Sequence, residues 1–151
     1  MTVRLQSEPF DPGAELNAFL ARVEPTGGAV VSFTGTVRSD ADNPIAAMTL
    51  EHYPALAQAR LASLEAEART RFGLLDALII HRHGRLVPGE VIVLVLAAAP
   101  HRHAAFEAAS FMMDTLKTTA PFWKKEERPD GTAAWVEARQ SDDEAAARWR
   151  S

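Results

Sequence analysis

The chain has 151 residues, 47% hydrophobic and 24% charged, which is typical of globular proteins and suits one domain spanning residues 1–151. It contains no cysteine, which excludes disulfides, thiolate nucleophiles, persulfide carriers and cysteine-ligated metals. The formal net charge of −4 argues against a general nucleic-acid-binding protein. The longest apolar runs, 91–100 and 28–33, are shorter than the ~20 residues of a membrane helix, and no secretory signal is visible. We therefore expect a cytoplasmic protein that binds neither membranes nor nucleic acid.

Periodicity and turn residues predict a mixture of helices and strands. Helices are predicted from the Asp11-Pro12 start to about Val23, over 55–72, and after Pro100, and strands over 28–37, 47–53, 74–83, 90–99, 122–127 and 132–138. The acidic segment from Ser141 is compatible with a further helix. The residues predicted to face the core are Phe106, Ala109, Met113 and Leu116 of the third helix, with Trp123 and Trp135. Because helices and strands do not alternate regularly, the predicted fold class is α+β with mixed or antiparallel sheets and three main helices.

Positive side chains cluster in one segment of this acidic chain. Between His101 and Lys125 there are four Lys and Arg residues and two histidines, against two carboxylates. Such a local cluster is typical of a site for a small anion or an acidic partner.

The lysines of this segment have an ordinary explanation and a functional one. Lys117 lies in the last predicted turn of the third helix, where a lysine commonly complements the negative helix end. Lys124 and Lys125 are consecutive in a short strand, so at most one can share a pocket with Lys117, and an edge strand protected by charge would also explain them. A partly desolvated lysine near other cations would instead have a lowered pKa and could act as base or nucleophile.

Three further cations are candidates for anion binding. Arg38 follows the first predicted strand, where it is either solvated or able to bind an anion bidentately. His101 and Arg102 begin the third helix, where backbone N–H groups and the helix dipole favour a phosphate. His101 lies sixteen positions before Lys117, roughly 24 Å along one helix. A single small substrate cannot touch both within one chain, which predicts a homodimer with a composite site.

Two His-x-His pairs raise the possibility of a metal site. They are His81/His83 and His101/His103. No third ligand follows at a diagnostic spacing, so a histidine–metal hydrolase is a weak alternative, and neither a metal nor another cofactor is predicted.

Six segments of the sequence together resemble the large, catalytic subunit of molybdopterin synthase. They are GAVVSFTGTVR (28–38), LEHYP (50–54), HRHG (81–84), APHR (99–102), LKTTAPFWKKE (116–126) and WVEAR (135–139). The resemblance covers nearly the whole chain in order.

This resemblance implies an α/β-hammerhead type fold and a homodimer that binds a small ubiquitin-like sulfur-carrier subunit at each end, forming a heterotetramer. The carrier's Gly-Gly C-terminus, as a thiocarboxylate, would deliver sulfur to cyclic pyranopterin monophosphate, and two transfers would create the dithiolene of molybdopterin. An external sulfur donor would also fit a chain without cysteine.

The resemblance further implies roles for individual residues. Lys117 and Lys124 would be the catalytic pair. The substrate-binding residues would be Arg38, His101, Arg102, Lys125, Thr36, Val37 and Glu126, with His101 and Arg102 donated across the dimer. Some family members carry a lysine at the position of Thr36. The alternative is a non-catalytic dimeric docking module for a ubiquitin-like sulfur carrier.

Overall fold

The structure is a computed structural model that describes residues 3–119, 121–136 and 140–150. Its elements are, in order, β1 (Val3–Gln6), α1 (Pro12–Arg22), β2 (Ala29–Thr36), β3 (Ala47–His52), α2 (Pro54–Phe72), β4 (Asp76–Arg82), β5 (Gly84–Leu86), β6 (Val91–Ala99), α3 (Arg102–Thr119), β7 (Phe122–Glu127), β8 (Ala133–Val136) and α4 (Gln140–Ala147). The α+β prediction is confirmed, as are the three main helices and the six predicted strands. Two short strands, β1 and β5, were not predicted, and Ala138, the predicted end of the last strand, lies outside the described residues.

The first sheet, which we call sheet A, has strand order β1-β4-β6-β2. Strand β1 runs parallel to β4, whereas the other pairs are antiparallel. Alternate residues of the central strands enter two separate cores, one against α2 and α3 and the other against α1. Sheet A is therefore covered on both faces, which explains the nearly continuous apolar sequence of β4 and β6.

Local sequence fixes the ends of two helices that cover this sheet. The Asp11 carboxylate caps α1 by accepting hydrogen bonds from the N–H groups of Gly13 (2.9 Å) and Ala14 (3.2 Å). Gly73 ends α2 in the left-handed region, with φ of 62°, which a residue without Cβ adopts at no steric cost. Both ends agree with the sequence predictions.

The second sheet, sheet B, has strand order β5-β3-β7-β8 and is antiparallel. Its buried face forms a small core of Val37, Ile45, Met48, Leu50 and Leu86. Phe122, the first residue of β7, packs against this core and against the main core of sheet A as well. The two sheets therefore meet at Phe122.

Three aromatic residues predicted to be buried are exposed. Phe106 is 61% exposed on α3, while Trp123 and Trp135 are 44% and 56% exposed on sheet B. On helix α3, Ala109 and Leu116 are buried as predicted, and Phe111 and Met112 are buried as well, because the helix packs on α2 and on sheet A at once.

The last helix is attached through the residues that follow it. The Trp149 ring makes edge contacts with Phe72 and Phe111, and its Nε1 donates to the Asp114 carboxylate at 2.7 Å. Arg71 donates to the Trp149 carbonyl at 2.8 Å. No helix within the described ranges is both long enough and apolar enough to cross a membrane.

Candidate active site

The predicted anion-binding residues lie at opposite ends of α3. Lys117 is exposed in the last turn of the helix, as predicted, and Arg102 is its first residue. Helix α3 packs along β6 and β2. At the start of β6, Val93 pairs with His81, whose pKa is lowered in part by the charge of Lys117. The end of α3 therefore lies over the start of β6, and Arg102 lies at the far end of the same strand.

Strand β2 places Arg38, the remaining predicted anion-binding residue, near the end of α3 that carries Lys117. Thr36, its last residue, pairs with Val91 at the start of β6, next to a register shift at Gly35. Arg38 follows in an exposed loop and forms an ion pair with Asp40 at 2.5 Å. Thr36 and Arg38 are therefore on the same side of the fold as Lys117, whereas His101 and Arg102 are not.

Val37 lies between these two residues but is part of the core. Its side chain is buried against Leu86 and its neighbours. Its N–H donates to the Glu90 carbonyl at 2.9 Å, and its carbonyl accepts from the Gly89 N–H at 2.8 Å. The contacts of Val37 in this structure are therefore structural, and a substrate contact by this residue stays a prediction.

The two consecutive lysines of β7 face opposite sides of sheet B. Lys124 shares the face of Phe122 and Glu126 and pairs with Leu50. Lys125 lies on the other face, with its Nζ 5.8 Å from the centre of the Trp135 ring. Of the two, Lys124 is therefore the one on the Lys117 side. The edge-strand explanation is wrong, because β7 lies between β3 and β8.

A stack of rings that sequence reasoning missed adjoins Lys117. The His81 ring stacks on Phe122 with 4.3 Å between centroids and an interplanar angle of 17°. His52, on the paired strand β3, lies 5.8 Å from Phe122 and 4.3 Å from His83. We call His81, Phe122, His52 and His83 the ring cluster. The segments LEHYP and HRHG carry its histidines, but their convergence depends on tertiary structure.

Two histidines of the ring cluster, His81 and His52, have lowered pKa values. Burial, together with the charges of Lys117, His52 and His83, lowers the pKa of His81 from 6.5 to about 4, although its bond to the Arg82 carbonyl opposes this. Burial, followed by the charge of His83, also lowers the pKa of His52. At neutral pH the His81 ring near Lys117 is therefore uncharged.

The exposed face of sheet B carries an open cleft of about 420 Å³. Its lining is mainly aromatic and consists of Glu51, His52, Tyr53, Trp123 and Trp135. Tyr53 and Trp123 meet edge to face at 4.9 Å. His52 belongs to both this cleft and the ring cluster, so the cleft lies next to the Lys117 side of the sheet.

The two His-x-His pairs suggested a possible metal site, and the described residues do not form one. Among them, no group of three or more His, Asp or Glu side chains is arranged to hold a metal ion. The His81 ring donates from Nδ1 to the Arg82 carbonyl at 2.7 Å, because a carbonyl can only accept.

Comparison with known proteins identifies the family. The family model described as MoaE protein matches residues 5–119. The molybdopterin synthase catalytic subunit of Mesorhizobium japonicum is 52% identical over 151 residues, covering 99% of this chain and 94% of that protein. The molybdopterin biosynthesis MoaE protein of Burkholderia ambifaria superposes with a TM-score of 0.82 at 50% identity, covering 98% of this chain and 97% of that one.

A more distant structural neighbour shows the fold alone. It is a complex of subunits 1 and 2 of the molybdopterin-converting factor from Helicobacter pylori, with a TM-score of 0.76 at 20% identity over 92% of each chain. The resemblance inferred from the six sequence segments is confirmed. The chain belongs to the MoaE protein family, the family of molybdopterin synthase catalytic subunits, which are sulfur-transferring enzymes of molybdenum cofactor biosynthesis.

Proposed function

We propose that this chain transfers sulfur from the thiocarboxylated Gly-Gly C-terminus of a small ubiquitin-like carrier subunit to cyclic pyranopterin monophosphate, and that Lys117 and Lys124 are the catalytic pair. The observation that carries this proposal is that each lysine is close to a member of the ring cluster. Lys117 acts electrostatically on His81, and Lys124 follows Phe122 on the same face of β7. The Helicobacter pylori neighbour, as a complex of two subunits, supports a small-subunit partner.

Two lysines near one carbon suit the chemistry of a thiocarboxylate donor. Once sulfur has bonded to the substrate, the carrier is attached through a thioester. Water adds to the acyl carbon, and the carbon–sulfur bond breaks to leave a carboxylate on the carrier and a thiolate on the product. One ammonium group can stabilise the oxyanion of the tetrahedral intermediate, while the other lysine moves the proton of the attacking water. Neither role needs a cysteine in this chain.

The proposed phosphate-binding cations lie at both ends of α3. Arg38 lies at the Lys117 end, and its guanidinium can exchange Asp40 for a phosphate. His101 and Arg102 lie at the opposite end, roughly 24 Å away along the helix. We therefore propose that they act on the site of a second copy, which makes the site composite.

The open edge of sheet A is where we place the contact between copies. Strand β2 is an edge strand, and its residues 32–34 are exposed, including an apolar ring at Phe33. A two-fold contact along β2 is antiparallel, so it sets the start of one strand beside the end of the other. It thereby brings the partner's Arg102 toward Lys117. With a carrier bound to each copy, the assembly is a heterotetramer.

The substitution Lys117→Ala tests the catalytic pair. We expect turnover of cyclic pyranopterin monophosphate to fall about 10²–10⁴-fold, because proton transfer and charge stabilisation are lost together. The measurement uses purified subunits with thiocarboxylated carrier. Carrier binding and thermal unfolding should stay unchanged, since the Lys117 side chain is exposed. Undiminished turnover would remove Lys117 from the mechanism, and carrier binding without turnover by the unaltered chain would favour a docking module.

Mixing two inactive variants tests the composite site. Lys117→Ala and Arg102→Ala dimers, once their chains are exchanged, should regain about one quarter of the unaltered activity. Half of the dimers are then mixed, and each mixed dimer has one site with both residues intact. If the mixture stays inactive while gel filtration shows exchanged dimers, Arg102 does not act across the interface.

A further inference from the structure

We propose that His81 and His52 are positioning residues of the sulfur-transfer site: both rings contact Phe122 and so fix the place of Lys124 relative to Lys117. This inference rests on the proposed function, because it assigns these residues to the same lysine pair. In this proposal the ring cluster contributes to the reaction by positioning the lysines, and none of its rings contacts the substrate.

The position of Phe122 in the chain makes it the element that sets this spacing. Helix α3, which carries Lys117, ends at Thr119, and β7 begins at Phe122. Lys124 follows two residues later on the same face, about 7 Å along the strand. A shift of β7 at Phe122 would therefore move Lys124 relative to Lys117, which belongs to the helix.

The contacts that hold Phe122 come from two different sheets. His81 belongs to β4 of sheet A and stacks on the ring at 4.3 Å. His52 belongs to β3 of sheet B, pairs with Phe122 in register, and lies 5.8 Å from it. Because Phe122 also packs against the cores of both sheets, the ring is fixed at the point where the sheets meet.

The His81 ring is locked in one orientation and one charge state. Its Nδ1–H donates to the Arg82 carbonyl at 2.7 Å, so the lone pair of the neutral ring is on Nε2. The ring is buried, and a positive charge there would also face Lys117 from α3, His52 from β3 and His83 from the link between β4 and β5, which is why the stack requires the neutral form. The neighbouring Arg82 guanidinium instead donates to the Ser7 carbonyl at 2.8 Å.

A histidine is suited to this place because it combines a flat ring with a donor. An aliphatic residue would fill the space but would neither stack on Phe122 nor bond the Arg82 carbonyl. Phenylalanine would keep the stack and the neutral charge and lose only the hydrogen bond. The comparison of His81→Phe with His81→Ala therefore separates ring stacking from mere occupancy.

Kinetics of these two variants provide the first test. We expect His81→Ala to lower kcat at least 10-fold, with KM for the pterin and carrier binding changed less than about two-fold, because the reacting groups are misplaced and the binding groups are not. His81→Phe should stay within about three-fold of the unaltered kcat. His52→Ala, at a half-buried position, should lower kcat in the same direction and is the second variant if His81→Ala does not fold.

The matched control is Phe72→Ala. Phe72 belongs to a separate aromatic cluster, with Phe111 and Trp149, and its loss should destabilise the fold without moving β7. If Phe72→Ala lowers kcat as much as His81→Ala at equal loss of stability, the effect of His81 is only structural and the proposal is overturned.

Lysine cross-linking tests the placement without any sulfur transfer. A short amine-reactive cross-linker, mapped by mass spectrometry, should join Lys117 to Lys124 in the unaltered chain, in His81→Phe and in Phe72→Ala. The yield should fall several-fold in His81→Ala, while Lys125 on the opposite face is the internal reference. An unchanged yield in His81→Ala would overturn the positioning role. An intact cross-link in an unaltered chain that shows no turnover would instead overturn the proposed function and leave the placement supported.

Discussion

The two sheets of this fold differ in how they are covered. Sheet A is packed on both faces, and the residues of β6 from Val93 to Ala99 are all buried. Sheet B is buried on one face and exposes Tyr53, Trp123 and Trp135 on the other. The first sheet is therefore a scaffold that tolerates little change, and the second is a surface available to partners. The candidate lysine pair lies where the two meet, with one lysine on a helix of the scaffold and the other on sheet B.

The largest expected effect is a loss of folding stability when the core of sheet A is truncated. Leu94→Ala removes a fully buried side chain from β6 and should lower the free energy of unfolding by about 2–5 kcal/mol, through lost burial and the cavity left behind. Trp135→Ala on the exposed face of sheet B should cost less than about 1 kcal/mol. Urea titration of both variants checks the contrast. Equal losses would mean that sheet B is as tightly packed as sheet A.

The second effect is a pH-dependent change in folding stability caused by His81, which lies where the two sheets meet. The folded-state pKa of His81 is about 4 and its ordinary value is 6.5, so the unfolded chain binds a proton that the folded chain does not. Stability from this residue is present above pH 6.5 and is lost as the pH falls to about 4, by about 3 kcal/mol in all. His81→Phe should remove this part of the pH dependence. The check is urea titration of both proteins at several pH values, and parallel curves would contradict it.

The smallest expected effect tests whether the stability of sheet A and the activity of the candidate site are independent. Asp11→Ala removes the cap of α1, on the far side of sheet A from α3, and should cost about 1 kcal/mol of unfolding free energy. Turnover should not change, because α1 packs in a core on the opposite face of sheet A from α3, which carries Lys117. Asp11→Asn keeps an accepting oxygen and should retain most of the stability. A drop in turnover would show that the two regions are coupled.

Local patterns predicted the long elements because each of them has one dominant period or a diagnostic end. The start of α1 at Asp11 and the end of α2 at Gly73 each follow from the conformation that the residue itself favours. Lys117 at the end of α3 and Arg102 at its start are consequences of the same helix boundaries. These parts of the candidate site could be predicted from the sequence.

The remaining parts depend on tertiary packing. Strand β1 is four residues long and forms only through pairing with β4, so its own sequence carries little information. Phe106 and Trp135 are apolar yet exposed, since periodicity cannot tell which of two apolar stripes faces the core. The meeting of His52, His81 and Phe122 joins three strands from two sheets, and no spacing in the sequence indicates it.

The pairing of β1 with β4 has a consequence for how the chain folds. Val3 pairs with Ile79, and β2, β3 and α2 lie between the two strands in the sequence. During synthesis β1 therefore remains unpaired until β4 has emerged. Because the contact is distant in sequence, forming it closes a long loop and costs conformational entropy. The first strand to be made therefore pairs only after about half of the chain has been synthesised.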